Sequence, residues 1–456
     1  MKKKIDDTIT AIATPFGKGA ISIIRISGPS TLNIINKIFT GKTKNKAGIY
    51  YGYIIDKNKE KIDEVLLLIR IKPKSYTGED MAEIYCHGGL LVTELVLKRT
   101  IEAGARLAEP GEFSMRAVLN NKIDLTQAEA INEIINAKTE KSLKLSLSHL
   151  EGTLSRYINK LRLMLKDILT SLEVSIDHPE EDIEFINHSK MKKSIEEILN
   201  LINAMLENAK TGKAFNYGLK IVLIGKANTG KSSLFNALLK KDKAIISDIE
   251  GTTRDLVEEW LDIYGIPVKL IDTAGFKDAS DIIEKISLEK TEDALKSADI
   301  IFFLFDNSKN LDENDKKLIK KVKNIDIPLF IIINKTDLKN QLNIEKIKKE
   351  LKKNEIIKIS AKNGKGINLI ENKIKEFILN SNVNNDIIIT NVRVENALKK
   401  AFSHLLNSIK AIDENIPEEF IASDIRLAIN ELEEIIGKIS SDEILENIFS
   451  NFCIGK

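Results

Sequence analysis

The sequence predicts a multidomain protein of the α/β plus α class, with a doubly wound α/β module inserted between two helical segments. Its 456 residues are too many for one hydrophobic core, so two or three domains are expected. Residues 217–380 alternate helical segments with almost wholly apolar runs, which is typical of a parallel sheet covered on both faces. Residues 121–216 and 381–456 have helical patterns, and we expect these two parts to pack together as one discontinuous domain.

Residues 1–120 are predicted to form a separate N-terminal domain of mixed α/β structure. Apolar runs at 20–26, 63–71 and 81–86 indicate strands, and residues 30–39 and 90–103 have helical periodicity. In the module, strands are predicted at 220–224, 268–272, 300–305, 329–334 and 356–359.

The helical segment before the module carries one long apolar stripe. Leucines and isoleucines recur there at steps of three and four residues, at positions 143, 147, 150, 154, 158, 161, 165, 168 and 172. The stripe predicts a single long helix that ends near residues 177–179, followed by a second helix over roughly 190–208. We interpret the stripe as the core of a helical bundle and not as a cofactor site.

Composition excludes few classes of function. The 69 lysines and arginines nearly balance the 67 aspartates and glutamates, so overall charge argues neither for nor against a nucleic-acid partner. Cys86 and Cys453 are far apart without metal-ligand spacing, which fits a reducing compartment. No stretch reaches the ~18 apolar residues of a membrane span. We therefore expect a soluble cytoplasmic protein without a membrane partner.

Residues 225–232 carry the pattern Gly-x-x-x-x-Gly-Lys-Ser directly after a predicted strand and before a predicted helix. Glycines allow the backbone to aim several N–H groups at a phosphate, and the following helix adds its positive N-terminal end. Lys231 adds a point charge, and Ser232 offers a hydroxyl group to Mg²⁺. The pattern predicts a binding site for a nucleoside triphosphate.

Four further motifs complete the predicted site, two beside Mg²⁺ and the phosphates and two beside the base, which they indicate to be guanine. Residues 272–275 (Asp-Thr-Ala-Gly) end a strand, where Asp272 can reach Mg²⁺ through water and the Gly275 N–H can meet a γ-phosphate. A threonine of residues 251–255 can complete the Mg²⁺ shell. The acidic side chain of residues 334–337 (Asn-Lys-Thr-Asp) can accept both hydrogen bonds from guanine N1 and its amine, and residues 360–362 supply backbone contacts near O6. The ordered set predicts GTP binding.

The mode of hydrolysis stays open at this point. Many small GTPases carry a glutamine after Asp-x-x-Gly that orients the attacking water, but this chain has Phe276 there. Either another group orients the water, or the protein is a slow switch that holds GTP. The motifs of this site alone do not choose between the two.

The motifs together resemble the MnmE (TrmE) family of tRNA-modification GTPases, and the resemblance runs essentially end to end. It is carried by residues 76–80 (YTGED), 87–89 (HGG), 109–113 (EPGEF), 121–130 (NKIDLTQAEA), 251–255 (GTTRD) and 453–456 (CIGK). The resemblance implies an N-terminal folate-binding and dimerisation domain at 1–120, a discontinuous helical domain at 121–216 and 381–456, and an inserted Ras-like G domain at 217–380.

The family also implies an activity and its partners. Its members hydrolyse GTP with K⁺ stimulation and, with the FAD-dependent partner MnmG, add an (carboxymethyl)aminomethyl group at C5 of the wobble uridine of certain tRNAs. The implied cofactors are Mg²⁺, K⁺ and 5-formyltetrahydrofolate or a related one-carbon tetrahydrofolate, with GTP as substrate. The implied assembly is a homodimer that binds MnmG in a heterotetramer or larger complex.

The resemblance also carries over individual residues of the G domain. Asn228 matches a K⁺ ligand, Ser247, Ile249 and Thr252 lie in the segment whose carbonyls cover that ion, and Ser232 and Thr253 match the Mg²⁺ ligands. Glu284 matches the acidic residue that positions water in the family. It would take the role of the glutamine that Phe276 replaces. The implied GTP contacts are Asn228, Thr229, Gly230, Lys231, Ser232, Ser233, Ser247, Asp248, Ile249, Glu250, Gly251, Thr252, Thr253, Asp272, Thr273, Ala274, Gly275, Asn334, Lys335, Asp337, Ser360, Ala361 and Lys362.

Outside the G domain, Arg25, Glu83 and Lys122 match folate-contacting positions, and Lys456 is expected to meet the folate too. Cys453 matches the terminal cysteine that the family needs for modification, where a thiol adding to uridine C6 would activate C5. Two departures are Ala227 for the usual proline, and Phe276 with Lys277 for the commoner Leu or Ile with Arg. An Era-like, GTP-regulated RNA-binding assembly factor is the alternative, but such a factor needs neither the folate signatures nor the terminal cysteine motif.

Overall fold

The computed structural model describes residues 6–43, 45–177, 188–241, 257–272, 294–323, 325–351, 355–379, 387–438 and 442–456. The described chain divides into two compact units. The first unit takes its residues from Met1–Ile135, Ser148–Ile195 and Ser403–Lys456, and the second from Asn136–Leu147 and Glu196–Phe402.

The first unit contains a six-stranded sheet. Its strands are β1 (Ile9–Ile12), β2 (Ile21–Ser27), β3 (Gly48–Ile55), β4 (Lys61–Arg70), β5 (Met81–His87) and β6 (Arg106–Leu107). Their order is β3-β4-β5-β2-β1-β6, and every neighbouring pair is antiparallel except β1 with β6. Helices α1 (Thr31–Ile38) and α2 (Leu90–Glu102) pack on the sheet through a core that includes Ile24, Ile34, Ile84 and Val96.

The three strands and two helices predicted for this region are all present, each within two residues of its predicted bounds. Strands β1, β3 and β6 were not predicted. Strand β6 has only two residues, and β3 mixes tyrosines and glycines in a pattern that does not separate an apolar from a polar face.

Besides α1 and α2, eight helices of the described chain lie before or after the α/β module. They are α3 (Glu112–Leu119), α4 (Leu125–Asn136), α5 (Glu140–Leu150), α6 (Thr153–Asp177) and α7 (His188–Tyr217), and after the module α12 (Val392–Asp413), α13 (Glu418–Ile435) and α14 (Asp442–Phe449). The prediction of one continuous helix over 143–172 is wrong. The chain breaks between α5 and α6 because Gly152 adopts a left-handed φ of +80°, which ends the first helix.

Helices α6 and α13 join the two halves of the helical pattern, as predicted. The Arg162 guanidinium donates to Glu433 Oε1 at 2.7 Å, and Arg426 donates to Glu173 Oε1 at 2.7 Å. Helix α13 buries an apolar stripe that includes Ile421, Ile425 and Leu432. Parts of the helical segments before and after the α/β module, within residues 148–195 and 403–456, are therefore neighbours in the first unit.

The second unit contains the other six-stranded sheet. Its strands are β7 (Leu219–Ile224), β8 (Val257–Ile263), β9 (Ile266–Asp272), β10 (Ile300–Asp306), β11 (Leu329–Asn334) and β12 (Ile356–Lys358), in the order β12-β11-β10-β7-β9-β8. Five strands are parallel, as predicted, but β8 pairs antiparallel with β9. Strand β8 was not predicted, and it joins β9 through a tight turn at Tyr264 and Gly265.

Helices cover both faces of this sheet. Helices α8 (Lys231–Lys241) and α11 (Ile367–Leu379) pack on one face through Leu234, Leu238 and Ile370. Helices α9 (Glu313–Val322) and α10 (Ile344–Leu351) pack on the other through Ile319 and Ile347. The module is therefore doubly wound, as predicted. Within the described ranges, no helix combines the length and the apolar character needed to cross a membrane.

Candidate functional site

The predicted phosphate loop connects β7 to α8 at the carboxyl edge of the second sheet. The carboxyl ends of parallel strands in a doubly wound sheet are where ligands bind. The neighbouring strands end there with polar side chains, since Asp272 ends β9, Asp306 ends β10 and Asn334 ends β11. The fold thus gathers two of the predicted motifs, which begin at Asp272 and Asn334, around the phosphate loop.

Two glycines give this loop its shape. Gly225 has a φ of +150°, and a Cβ atom there would lie 2.6 Å from the Leu304 carbonyl oxygen. Gly230 has a φ of +94°, and a Cβ atom there would lie 2.2 Å from Asn334 Nδ2. Both positions therefore require glycine, because any side chain would collide with neighbouring strand ends.

Lys231 is enclosed by the loop that it follows. Its Nζ donates to the carbonyl oxygens of Gly225 at 2.6 Å and Lys226 at 3.0 Å, and only 5% of the residue is exposed. Helix α8 begins at Lys231, so its positive N-terminal end also faces the loop. This arrangement suits phosphate oxygens, which the ammonium group and the helix end would both attract.

Ser232 and Asp272 form the predicted Mg²⁺ side of the site. Ser232 Oγ donates to Asp272 Oδ2 at 3.1 Å, and Asp272 is 5% exposed at the end of β9. A hydroxyl and a carboxylate oxygen are hard ligands of the kind that Mg²⁺ takes together with phosphate oxygens. The donor set therefore fits Mg²⁺.

The guanine motifs are held together by Asn334. Its Nδ2 donates to the Thr229 carbonyl oxygen at 2.9 Å, and its Oδ1 accepts from the Ala361 N–H at 2.9 Å. Asp337 Oδ1 accepts from Ser360 Oγ at 2.6 Å. This hydrogen bond, with the positive charges of Lys362 and Lys335, holds the pKa of Asp337 below its usual range. Asp337 is thus a carboxylate able to accept hydrogen bonds from a base edge.

Lys335 connects the guanine motif to the phosphate loop. Its Nζ donates to the Asn228 carbonyl oxygen at 2.7 Å and to Asp306 Oδ2 at 2.6 Å. Burial alone would raise the pKa of Asp306, but hydrogen bonds from Lys335 and Ser308 hold it below its usual range. Asn228 is exposed with a φ of +64°. Sequence reasoning missed Asp306, which reads as the polar end of an apolar strand.

Lys226 was also missed, although it occupies a variable position of the phosphate-loop motif. Its ammonium donates to Asp312 and lies 3.5 Å from Asp315 Oδ2. Asp312 is the N-cap of α9, where it accepts from the N–H groups of Asn314 and Asp315. The hydrogen bond from Lys226 lowers the pKa of Asp312 to about 2. Lys226 thereby attaches the phosphate loop to the start of α9.

Two of the remaining predicted residues are exposed, and the others lie outside the described chain. Ser233 is exposed in the first turn of α8, and Lys362 is exposed after Ala361. Outside the described residues lie Ser247, Asp248, Ile249, Glu250, Gly251, Thr252, Thr253, Thr273, Ala274, Gly275, Phe276, Lys277 and Glu284. Their predicted roles stay predictions.

The first unit contains a cavity of about 170 Å³ beside the predicted folate residues. It is lined by Arg25, Leu68, Arg70, Tyr76, Met81, Glu83 and Lys456. Arg25 and Glu83 lie directly opposite each other on β2 and β5, and Arg25 Nε donates to Glu83 Oε1 at 2.9 Å. The Arg25 guanidinium lies 5.6 Å from the Tyr76 ring centroid. Cations, one carboxylate and an aromatic ring suit a planar heterocycle that carries an anionic group.

The C-terminal tail closes one side of this cavity. Arg25 Nη1 donates to the Gly455 carbonyl oxygen at 2.8 Å, and the Phe113 N–H donates to the Lys456 carbonyl oxygen at 3.2 Å. Burial and the nearby Arg25 charge lower the pKa of Lys456. Cys453 is exposed. The structure thus brings the motif at 109–113 and the motif at 453–456 together.

Lys122 is placed differently from the other folate candidates. Its Nζ donates to the Pro73 carbonyl oxygen at 3.0 Å, and among the described residues it does not line the cavity. Tyr76 and Arg70 do line it, although they were not named as site residues. Tyr76 lies inside the quoted motif at 76–80, so the motif itself contained that signal.

Family models match both parts of the chain. The model described as "GTP-binding protein TrmE N-terminus" matches residues 8–122, and the model described as "MnmE helical domain" matches residues 125–453.

Relatives match along the whole length. The tRNA modification GTPase MnmE of Clostridioides difficile (strain 630) is 43% identical over 460 residues, which cover 99% of this chain and 100% of that protein. The protein of the same name from Alkaliphilus oremlandii (strain OhILAs) is 42% identical over 461 residues, covering 99% and 100%. Among solved structures, the G domain of the T. maritima FeoB iron transporter aligns with 35% of this chain and 98% of its own. The TM-score of that alignment is 0.28, at 23% sequence identity.

Proposed function

Because the chain belongs to the MnmE family of tRNA modification GTPases, we propose that its hydrolysis of GTP is stimulated by K⁺ and serves modification of the wobble uridine. The chain is a GTP hydrolase that acts in tRNA modification. The proposal adds MnmG as the FAD-dependent partner and an (carboxymethyl)aminomethyl group at C5 as the product. The observation that carries the modification part of the proposal is the contact of the C-terminal Cys-Ile-Gly-Lys tail with Arg25 at the cavity of the first unit, called the Arg25 cavity below.

In the nucleotide site, the described residues bind and orient GTP. Lys231 and the start of α8 attract the phosphates, Ser232 and Asp272 offer oxygen ligands to Mg²⁺, and Asp337 accepts hydrogen bonds from guanine. Bound Mg²⁺ and K⁺ would supply positive charge next to the phosphates, where charge changes during hydrolysis. Asn228 is the proposed K⁺ ligand from the described part of the loop.

The remaining catalytic roles fall on residues outside the described chain. Thr253 is the second proposed Mg²⁺ ligand, and Ser247, Ile249 and Thr252 are proposed to cover K⁺ with carbonyl oxygens. Glu284 is proposed to position the attacking water, in place of the glutamine that Phe276 replaces. These assignments rest on family membership alone.

The cavity of the first unit is the proposed site for 5-formyltetrahydrofolate or a related one-carbon tetrahydrofolate. Glu83 can accept N–H groups of a pterin, and the Arg25 and Arg70 guanidinium groups can bind a carboxylate. Lys456 lines the same cavity, and Lys122 is a proposed contact near it. The fit between this donor set and a folate supports the assignment.

Cys453 is the proposed nucleophile of the modification step. Its exposure allows a tRNA base to reach Sγ. Addition of the thiolate to C6 of the uridine would make C5 nucleophilic toward the one-carbon unit that a bound folate would supply. Loss of the C5 proton and cleavage of the S–C6 bond would restore the aromatic base and the free thiolate.

The proposed assembly is a homodimer that joins MnmG in a heterotetramer or larger complex and acts on tRNA in the cytoplasm. The Era-like alternative, an RNA-binding assembly factor without covalent chemistry, is not favoured. Full-length identity of 43% to a tRNA modification GTPase, together with the N-terminal family match, covers regions that such a factor does not need.

Mass spectrometry of tRNA from cells that lack this gene tests the proposal. We expect the C5 group of the wobble uridine to disappear, and a plasmid carrying the intact gene to restore it. A Cys453→Ser variant should fail to restore it while it retains GTP hydrolysis. Normal wobble uridine in the deletion strain would rule out the modification role and leave only the GTPase.

A further inference from the structure

We propose that Asp306 is a positioning residue that controls nucleotide affinity and the K⁺ response by fixing the Lys335 ammonium against the phosphate loop. Asp306 ends β10 and is not part of any of the sequence motifs that predicted the site. The inference concerns this chain's own side chains, and its K⁺ part rests on the proposed function. Its affinity part stands on GTP binding alone.

Asp306 is itself held firmly. Its side chain is 6% exposed, and its two oxygens have separate partners. Oδ1 accepts from the N–H of Ser308 at 2.9 Å and from Ser308 Oγ at 2.7 Å, while Oδ2 accepts from Lys335 Nζ at 2.6 Å. Because a buried carboxylate is stable only with such partners, the geometry fixes the position of the negative charge.

Lys335 passes this constraint to the phosphate loop. Lys335 Nζ, which donates to Asp306, also donates to the Asn228 carbonyl oxygen at 2.7 Å. Asn228 and Lys335 have φ values of +64° and +65°, in a left-handed region that residues other than glycine seldom adopt. Such conformations persist only where surrounding contacts hold them. The three-residue chain from Asp306 through Lys335 to Asn228 supplies that contact.

Strand register places Asp306 where it can link the two halves of the site. Asp306 pairs with Asn334 in the parallel ladder of β10 and β11, and the Asn307 N–H donates to the Asn334 carbonyl oxygen at 2.9 Å. Asn334 in turn holds the Thr229 carbonyl oxygen. One strand end therefore supports the guanine motif and, through Lys335, the loop residue proposed to bind K⁺.

Asp306→Asn tests the proposal in the full-length protein, because asparagine keeps the shape and removes the charge. We expect the Kd for a fluorescent GDP analogue to rise about tenfold, in the range of one lost charge-assisted hydrogen bond. The half-saturating K⁺ concentration for GTP hydrolysis should rise as well. Lys335→Met should weaken binding by itself, and adding Asp306→Asn to it should cause no further loss, because Asp306 acts through Lys335.

Asp299→Asn is the matched control. Asp299 lies just before the opposite end of β10, where its Oδ2 accepts from the Lys220 N–H at 2.8 Å. Its substitution should leave GDP affinity within twofold. A purely structural role for Asp306 predicts instead a lower unfolding temperature with unchanged GDP affinity. An Asp306 that acts independently of Lys335 predicts losses of GDP affinity that add in the double variant. Either result would overturn the proposal.

Two further outcomes remain informative. If Asp306→Asn does not fold, Ser308→Ala loosens the same carboxylate without removing its charge, and it should weaken GDP binding about twofold; unchanged affinity would contradict the proposal. If the wild-type protein shows no K⁺ stimulation, the K⁺ part of the proposed function fails. The GDP affinities of the Asp306 and Lys335 variants then still decide the role of Asp306.

Discussion

At the scale of single residues, the nucleotide site depends on backbone conformations that ordinary residues avoid. Gly225 and Gly230 are required because a Cβ atom would collide with neighbouring strand ends. Asn228 is different, since its side chain is exposed and its carbonyl oxygen alone is bound by Lys335. The side chain of Asn228 is thus available for a ligand, while its backbone is fixed.

Asn228→Gly should abolish K⁺ stimulation. Glycine accepts a φ of +64° without strain, so the change removes the side-chain oxygen and leaves the backbone in place. We expect the rates of GTP hydrolysis in KCl and in NaCl to become equal, with GDP affinity changed less than threefold. Asn415→Gly, at an exposed residue with a φ of +51°, is the control and should keep the wild-type ratio. A K⁺ response that survives in Asn228→Gly would assign the ion to other ligands.

At the scale of secondary-structure elements, a buried ionic cluster attaches α3 to the segment before β1. Arg116 is 2% exposed and donates to the Asp7 carboxylate, to Glu79 Oε1 at 3.2 Å and to Glu112 Oε1 at 3.0 Å. Burial alone would raise the pKa of Glu112, but hydrogen bonds from Arg106, Arg116 and the Glu109 N–H hold it below its usual range. Helix α3 begins with the residues that the C-terminal tail contacts, so the cluster also holds that contact surface.

Arg116→Met should destabilise the first unit by about 2–3 kcal/mol at pH 7, because the buried Glu112 loses one of its two guanidinium partners and Glu79 loses its ion pair with Arg116. Urea unfolding measures this loss. Arg426→Met is the control, since its ion pair with Glu173 is exposed and is worth about 0–1 kcal/mol. A loss no larger than that of the control would mean that the cluster is structurally neutral.

The free energies of unfolding of wild type and Arg116→Met should differ in their dependence on pH. A carboxyl group whose pKa is lower in the folded state adds stability above its ordinary pKa, which for Glu112 is 4.5. That stability is lost as pH falls through the lower folded value. The gap between wild type and Arg116→Met should therefore be widest at neutral pH and should shrink on acidification below 4.5.

At the scale of the whole molecule, each unit carries one candidate site built from distant parts of the chain. Arg25 and Gly455, which are in contact, lie 430 residues apart in the sequence. Position 455 requires glycine, because its φ is +93° and a Cβ atom there would lie 2.4 Å from the Ile12 carbonyl oxygen. The nucleotide site lies in the second unit and uses none of these residues.

Gly455→Val should therefore separate the two sites. We expect loss of folate binding by calorimetry and loss of tRNA modification, because the tail can no longer lie against Ile12. GDP affinity should stay within twofold of wild type. Gly364→Val is the control, because it also has a positive φ of +67° but a Cβ atom there meets nothing within 4 Å. Unchanged folate binding in Gly455→Val would show that the tail does not form the site.

The nucleotide site was largely predictable because its motifs are local and each follows a strand. Asp306 was not, since its partner Lys335 becomes visible only when β10 and β11 are paired in register. The break at Gly152 was missed because the apolar spacing continues across it, while the left-handed conformation leaves no trace in that spacing. The family resemblance assigned Arg25 and Lys456 to one folate site, but the contact of Arg25 with Gly455 was not predicted, because no periodicity reports a contact between residues 430 apart.

The position of the tail has a consequence for biosynthesis. A ribosome makes Gly455 430 residues after Arg25, so the Arg25 cavity gains the wall formed by the tail only after those residues have been made. Domains usually fold in order as they emerge, and the second unit has all its residues well before that. We therefore expect a chain truncated shortly before Cys453 to hydrolyse GTP with an incomplete cavity and, under the proposed function, to leave tRNA unmodified.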